Sequence, residues 1–147
     1  MSDSAICAAR PADLSEVIDL LTICDLPHED LTPQHLALFS IVRQGQALVA
    51  VAGFERFGAS GLLRSVAVAP DCRGQRLGGK LVSAIESTTL ESGLSDLYLL
   101  TLTAEAFFAQ RGYRRVERAR VPETIQATAE FRHLCPAAAV CMWKPLR

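Results

Sequence analysis

The sequence predicts a mixed α/β fold, and three observations carry that expectation. Residues 41–69 read as three strands separated by glycine-bearing turns, an antiparallel meander. Residues 14–21 and 81–90 carry apolar side chains at three- and four-residue spacing, the mark of helices with one buried face. Residues 95–102 are almost continuously apolar, as suits a strand buried on both faces. A chain of 147 residues, half apolar and 21% charged, fits one folded domain over residues 1–147.

The elements follow in order. Residues 6–10 are loosely apolar and read as a first strand. Pro11-Ala12-Asp13 opens a helix whose buried face is Leu14, Val17, Ile18 and Leu21, and Asp25-Leu26-Pro27 ends it. Thr32-Pro33 reads as an N-cap with proline in the first turn, opening a short helix that carries Leu36 and Phe39. Gln44-Gly45-Gln46 is a tight turn between residues 41–43 and 47–54, and residues 55–60, with Gly58, are a second turn region. A third strand, residues 62–69, stops at Pro70, and residues 71–79 form a polar, glycine-bearing loop before the helix that ends near Gly93. Residues 104–111 read as a short helix with Gly112 as its C′ residue. Strands over residues 113–117 and 138–143 flank a further helix at residues 122–129.

Fifteen basic against sixteen acidic side chains give a net charge of −1, which argues against non-specific nucleic-acid binding. The longest apolar runs, residues 47–54 and 66–70, are far short of the roughly 20 residues of a spanning helix. Met1-Ser2-Asp3-Ser4 has neither the basic flank nor the apolar run of a signal peptide. Cys7, Cys24, Cys72, Cys135 and Cys141 form no CxxC pair and no zinc spacing. His28, His35 and His133 are scattered, and no metal spacing links them. The expectation is a cytoplasmic protein with no metal, no nucleic-acid partner and no membrane partner; a homodimer stays open.

The informative segment is Val66-Ala67-Val68-Ala69-Pro70-Asp71-Cys72-Arg73-Gly74-Gln75-Arg76-Leu77-Gly78-Gly79-Lys80. A strand runs into an arginine- and glycine-bearing loop, and the loop runs into a helix. A helix N-terminus offers free backbone N–H groups and the positive end of its dipole, and glycine lets backbone approach an oxygen-rich ligand. The turn therefore suits a phosphate or pyrophosphate. Neither GxxxxGK[ST] nor GxGxxG with its acidic partner is present, so a P-loop and a dinucleotide fold are unsupported.

This segment resembles the acetyl-CoA-binding signature of the GNAT superfamily of N-acetyltransferases, [RQ]-x-x-G-x-[GA]. Arg73 fills its first position and Gly78 its last, while Arg76 stands where glycine is usual. Phe107-Phe108-Ala109-Gln110-Arg111-Gly112-Tyr113 is similar to the family's second signature. The resemblance implies a mostly antiparallel sheet of six to seven strands flanked by helices and splayed between the fourth and fifth strands. It also implies acetyl-CoA as cosubstrate, with its pantetheine arm added to the fourth strand along Val66, Ala67 and Val68. The pyrophosphate would then lie on Arg73, Gly74, Gln75, Arg76, Leu77, Gly78 and Gly79, with the backbone N–H groups of residues 75–79 holding it. Direct attack by an amine, without a covalent enzyme intermediate, follows. The family's general-acid tyrosine, five residues before Tyr113, is Phe108 here, which leaves open a binding module without turnover.

The segments Leu99-Leu100-Thr101-Leu102-Thr103 and Cys141-Met142-Trp143-Lys144 are similar to amino-acid acetyltransferases, including the acetyltransferase domain of N-acetylglutamate synthase. Leu62-Leu63-Arg64-Ser65-Val66 with Leu134-Cys135-Pro136 resembles acetyltransferases associated with arsenic resistance. The first likeness implies a small acceptor amine carrying an anionic group. The second invites an arsenic-binding role for Cys135 and Cys141, against the commoner role of packing thiols.

Strand alternation puts Leu62, Arg64, Val66 and Val68 on one face and Leu63, Ser65 and Ala67 on the other. Arg64 reads either as a clamp for the substrate's anion or as a strand arginine paired with Glu55 or Glu86. Glu55 is a candidate base acting through water, and Ser65 a candidate hydrogen-bonding group for the substrate. Phe131 and Leu134 are candidates for the substrate wall. Tyr98, Thr101 and Thr103 read as structural.

Overall fold

The computed structural model describes residues 5–147, so the reading of Met1-Ser2-Asp3-Ser4 lies outside the described residues. The elements are β1 (Ile6–Ala8), α1 (Leu14–Ile23), β2 (Phe39–Gln44), β3 (Ala47–Phe57), β4 (Ser60–Val68), α2 (Leu77–Glu91), β5 (Asp96–Thr101), α3 (Glu105–Ala109), β6 (Arg114–Arg115), α4 (Glu123–Gln126) and β7 (Val140–Pro145). The seven strands form one sheet in the order β1-β2-β3-β4-β5-β7-β6. β1–β2, β2–β3, β5–β7 and β6–β7 are antiparallel. β4 and β5 are parallel, with Ser60, Gly61 and Leu62 opposite Asp96, Leu97 and Tyr98. The mixed, mostly antiparallel architecture is the one expected. Among the described residues no helix is long and apolar enough to cross a membrane.

The chain divides into two compact units, Met1–Glu55 with Arg64–Thr88, and Arg56–Leu63 with Thr89–Arg147. The first unit packs Val17, Leu20 and Leu21 of α1 with Leu36, Phe39, Ile41, Val51 and Ala67. A 3₁₀ turn over Pro11–Asp13 feeds α1, and the Asp13 carboxylate accepts the Arg10 backbone N–H at 2.8 Å. The expected helix after Thr32 is a 3₁₀ segment, Pro33–Leu38. Phe39 was expected on that helix but opens β2 instead, opposite Gly53. Its ring fills the space above that glycine: a Cβ on Gly53 would lie 2.1 Å from Phe39 Cδ1. An aromatic ring laid over a strand glycine supplies the packing that the glycine lacks.

Two further boundaries differ from expectation, the end of β3 in the second unit and the start of α2 in the first. β3 runs on to Phe57, so the second turn shrinks to Gly58 and Ala59, with Gly58 at φ +65°. α2 starts at Leu77, which places Gly78 and Gly79 inside its first turn instead of in the loop. Lys80 N–H donates to the Arg76 carbonyl at 3.1 Å, so Arg76 is the residue from which the helix springs.

The second unit packs Leu62, Tyr98, Val121, Ile125, Phe131 and Cys141. α3 closes as expected at Gly112, which has φ +93°. Gly112 N–H donates to Ala109 and Tyr113 N–H to Phe108, both at 3.1 Å, the bonding of a Schellman cap. The apolar contact that accompanies such a cap is here Phe108 against Tyr113, edge to face at 5.5 Å. The helix expected over residues 122–129 is shorter, with α4 ending at Gln126. A π-helical turn, Glu130–Leu134, follows that no apolar spacing signalled. The strand expected over residues 113–117 is only Arg114–Arg115.

Candidate functional site

The residues of the arginine–glycine loop and the Arg64 group all lie in the first unit. β4 leads through a 3₁₀ turn, Pro70–Cys72, into the loop at Arg73 and then into α2. Gly74 has φ +89° and Arg76 φ +63°. The left-handed region is costly for a side chain other than glycine, by roughly 1–2 kcal/mol. Arg76 thus holds a conformation that glycine, the usual residue at this position of the signature, adopts without strain. The first-turn N–H groups of Leu77, Gly78 and Gly79 have no helix carbonyl behind them to meet. Arg76 and Gly74 are exposed, and Gly79 is buried under the helix start.

Arg73 does not project from the loop. Its Nε donates to the Val68 carbonyl at 3.3 Å, and Nη2 meets Cys24 Sγ at 3.7 Å. Gln75 accepts from Gln44 Nε2 at 2.7 Å, which ties the loop to the end of β2.

Upstream on β4, Arg64 is 3% exposed and its side chain is wholly buried. It donates to both oxygens of Asp30, at 2.6 and 2.8 Å, and to Glu55 Oε2 at 2.8 Å. Nε donates to Ser65 Oγ at 3.0 Å. The strand-arginine alternative thus has its Glu55 partner, joined by Asp30 from the loop after α1. Burial pushes the Asp30 carboxyl up, but the Arg64 hydrogen bond and charge more than offset this and hold it below the usual 3.8. Ser65, buried, sits at φ +60°, so the period-two alternation expected along β4 fails there. A left-handed residue in a strand is a bulge, and it lets Arg64 and Ser65 meet side by side.

His35 extends the cluster, with Nε2 3.9 Å from Glu55 Oε1. Thr32 N–H donates to His35 Nδ1 at 3.1 Å, so that nitrogen presents its lone pair and a neutral ring carries its proton on Nε2, toward Glu55. Asp30, His35 and Glu55 offer ligand-type atoms within 4.8 Å of one another. Their chemistry suits an ion-pair cluster better than a metal centre. Arg64 uses both Asp30 oxygens and one of Glu55, and His35 has its proton on the nitrogen that a metal would need.

In the second unit, Phe108 is 5% exposed and stacks edge-on to Phe107 and Tyr113. Tyr98 packs in the core, and burial, with the nearby Asp96 charge, pushes its hydroxyl pKa up. Thr101 Oγ1 accepts the Ala104 N–H at 3.0 Å, a structural role. Phe131 belongs to the core and Leu134 is half-buried in the π-helical turn. Burial raises the Cys141 thiol to about 11, which keeps it protonated at neutral pH, and Cys135 is half-buried.

Sequence reasoning missed Asp30, His35 and Cys24. The Thr32-Pro33-Gln34-His35 cap pattern was the one visible sign that His35 had a fixed orientation. Asp30 lies 34 residues from Arg64, and no periodicity connects them.

A mixed sheet whose bulged fourth strand passes through an arginine–glycine loop to a helix N-terminus defines the α/β class of this chain. Residues 35–115 match the family described as Acetyltransferase (GNAT) domain, and the chain belongs to that family. It is 33% identical over 79 residues to an uncharacterized N-acetyltransferase of Chlorobaculum tepidum, covering 54% of this chain and 48% of that protein. It is 32% identical over 88 residues to the amino-acid acetyltransferase of Escherichia coli K12, covering 58% of this chain and 20% of that one. The chain therefore matches about half of the one relative and a fifth of the other. Among solved structures, N-acetylglutamate synthase from Neisseria gonorrhoeae, complexed with coenzyme A and N-acetyl-glutamate, superposes with a TM-score of 0.85 at 20% identity. That match covers 100% of this chain and 36% of the other.

Proposed function

We propose that this chain transfers an acetyl group from acetyl-CoA to the amine of a small, amino-acid-like acceptor bearing an anionic group. The observation that supports the reading is the turn from β4 into α2, where Gly74 and Arg76 both sit at positive φ just before the helix N-terminus at Leu77. In this reading the diphosphate lies on the N–H groups of residues 75–79, at the positive end of the α2 dipole. The pantetheine arm adds to β4 along Val66–Val68 as a further strand. A β4 backbone N–H polarises the thioester carbonyl. The amine nitrogen attacks that carbon, the C–N bond forms, the C–S bond breaks, and the departing CoA thiolate takes through water the proton that the new amide nitrogen gives up. Glu55 takes the ammonium proton through water, and Arg64 holds Glu55 and Asp30 in place. Arg64 then acts as a positioning residue, with Ser65 as its neighbour in the bulge. The names of the Escherichia and Neisseria relatives support an amino-acid acceptor.

The test is release of free CoA thiol from acetyl-CoA against a panel of amino acids and simple amines. Release that depends on an acidic amino acid supports the reading. Binding of acetyl-CoA with no release for any amine favours a non-catalytic module, the alternative to which Phe108 at the usual tyrosine position points. A preference for cationic amines overturns the anionic acceptor.

A further inference from the structure

The Val68 carbonyl already has donors. Ala69 N–H donates to Val49 O on β3 at 2.8 Å. The 68–69 peptide is trans, so its carbonyl points the opposite way, off the free side of β4. There it accepts from Arg73 Nε at 3.3 Å and from Cys24 Sγ at 3.5 Å, and Arg73 Nη2 reaches back to Cys24 Sγ at 3.7 Å. The first arginine of the phosphate loop thus lies folded over a strand carbonyl of the kind that an added strand must use.

We propose that Arg73 is a specificity-determining residue that shields the Val68 carbonyl until a diphosphate-bearing cosubstrate draws its guanidinium away. The inference rests on the function proposed above. An incoming pantetheine amide can take the Val68 carbonyl only by displacing a donor already on it, and Arg73 is the exposed, charged one of the two. A ligand without phosphates breaks the Arg73 contact and gives the guanidinium nothing in return. Full CoA offers it an oxyanion, and charge-assisted bonds to phosphate are stronger than a bond to a neutral carbonyl. The contact therefore discriminates against pantetheine and similar short thiols in favour of CoA. Arg73 is exposed, and its bonds to Val68 and Cys24 are long, so the exchange is easy in both directions.

The experiment is titration of the wild-type chain, Arg73→Ala and Arg73→Met with CoA and with pantetheine, followed by NMR, with thermal melts to confirm folding. The proposal expects both variants to bind pantetheine about three- to tenfold more tightly than wild type, the weight of one net hydrogen bond. CoA should bind them no more tightly than it binds wild type. Pantetheine affinity that is unchanged or weaker in folded variants overturns the proposal, as does its undetectable binding to them. Failure of CoA to bind the wild-type chain overturns the proposed function instead.

Discussion

Replacing Arg64 with alanine removes a wholly buried guanidinium that makes three charge-assisted bonds, two to Asp30 and one to Glu55. Breaking a buried ion pair from one side costs about 3–5 kcal/mol, because the remaining charges lose their partner. The two carboxylates keep 20% and 22% of their side-chain exposure, so water meets part of the loss and the low end, about 3 kcal/mol, applies. For a chain of this size that lowers Tm by roughly 6–12 °C. The pH dependence has a definite sign. Asp30 has its folded pKa depressed below the usual 3.8, so its pairing stabilises the fold above that value. The contribution is lost as pH falls through the folded pKa. The gap in Tm between wild type and Arg64→Ala is therefore full at pH 7 and narrows in acid below the usual carboxylate range. Arg64→Lys restores only part of it, since a point charge cannot make the two-pronged contact. Thermal melts followed by circular dichroism across the pH range are the assay. A variant that melts within about 2 °C of wild type at pH 7 would show that the buried Arg64 pairing contributes little to stability.

Three other outcomes follow from the packing and the thiols. Gly53→Ala places a methyl inside the Phe39 ring and should cost about 1–3 kcal/mol by overpacking; adding Phe39→Leu should recover part of it, and additive melts would contradict the contact. Phe108→Tyr puts a hydroxyl into the apolar contact that closes α3; the chain should stay folded with a lowered Tm and keep any turnover it has, and lost turnover in a folded variant would show a tighter constraint at residue 108. Alkylation at pH 8 followed by peptide mass spectrometry should modify exposed Cys7 and spare Cys141, whose thiol is raised to about 11; equal labelling of the two would refute the burial argument.

The parts of the fold legible in the sequence were those set by local chemistry. Gly45 and Gly112 marked a hairpin and a helix end because each sits at positive φ. The spacing of Leu14, Val17 and Leu21 marked α1 because one face meets the core. The start of α2 was hidden because Gly78 and Gly79, poor helix formers, occupy its first turn. Phe39 was misplaced because its spacing from Leu36 fits a helical turn, while its partner, Gly53, is read only once the strands pair. The bulge at Ser65 leaves no trace in the sequence, because serine carries none of the glycine signal that positive φ usually gives. Of the Arg64 cluster, Glu55 was legible because it lies a hairpin away, whereas Asp30 arrives from the loop after α1.

The proposed function stands on the turn from Arg73 into α2 as the holder of the acetyl-CoA diphosphate. Calorimetric titration of wild type and Gly78→Asp with acetyl-CoA, paired with thermal melts, tests it most directly. Wild type should bind saturably, with stabilisation of roughly 2.7 kcal/mol at 100 times Kd, and a folded Gly78→Asp variant should lose most of both. The aspartate adds a side chain and a negative charge in the first turn of α2, at the proposed diphosphate site. Wild type that gives neither heat nor a shifted melt, or a Gly78→Asp variant that binds equally well, would contradict it.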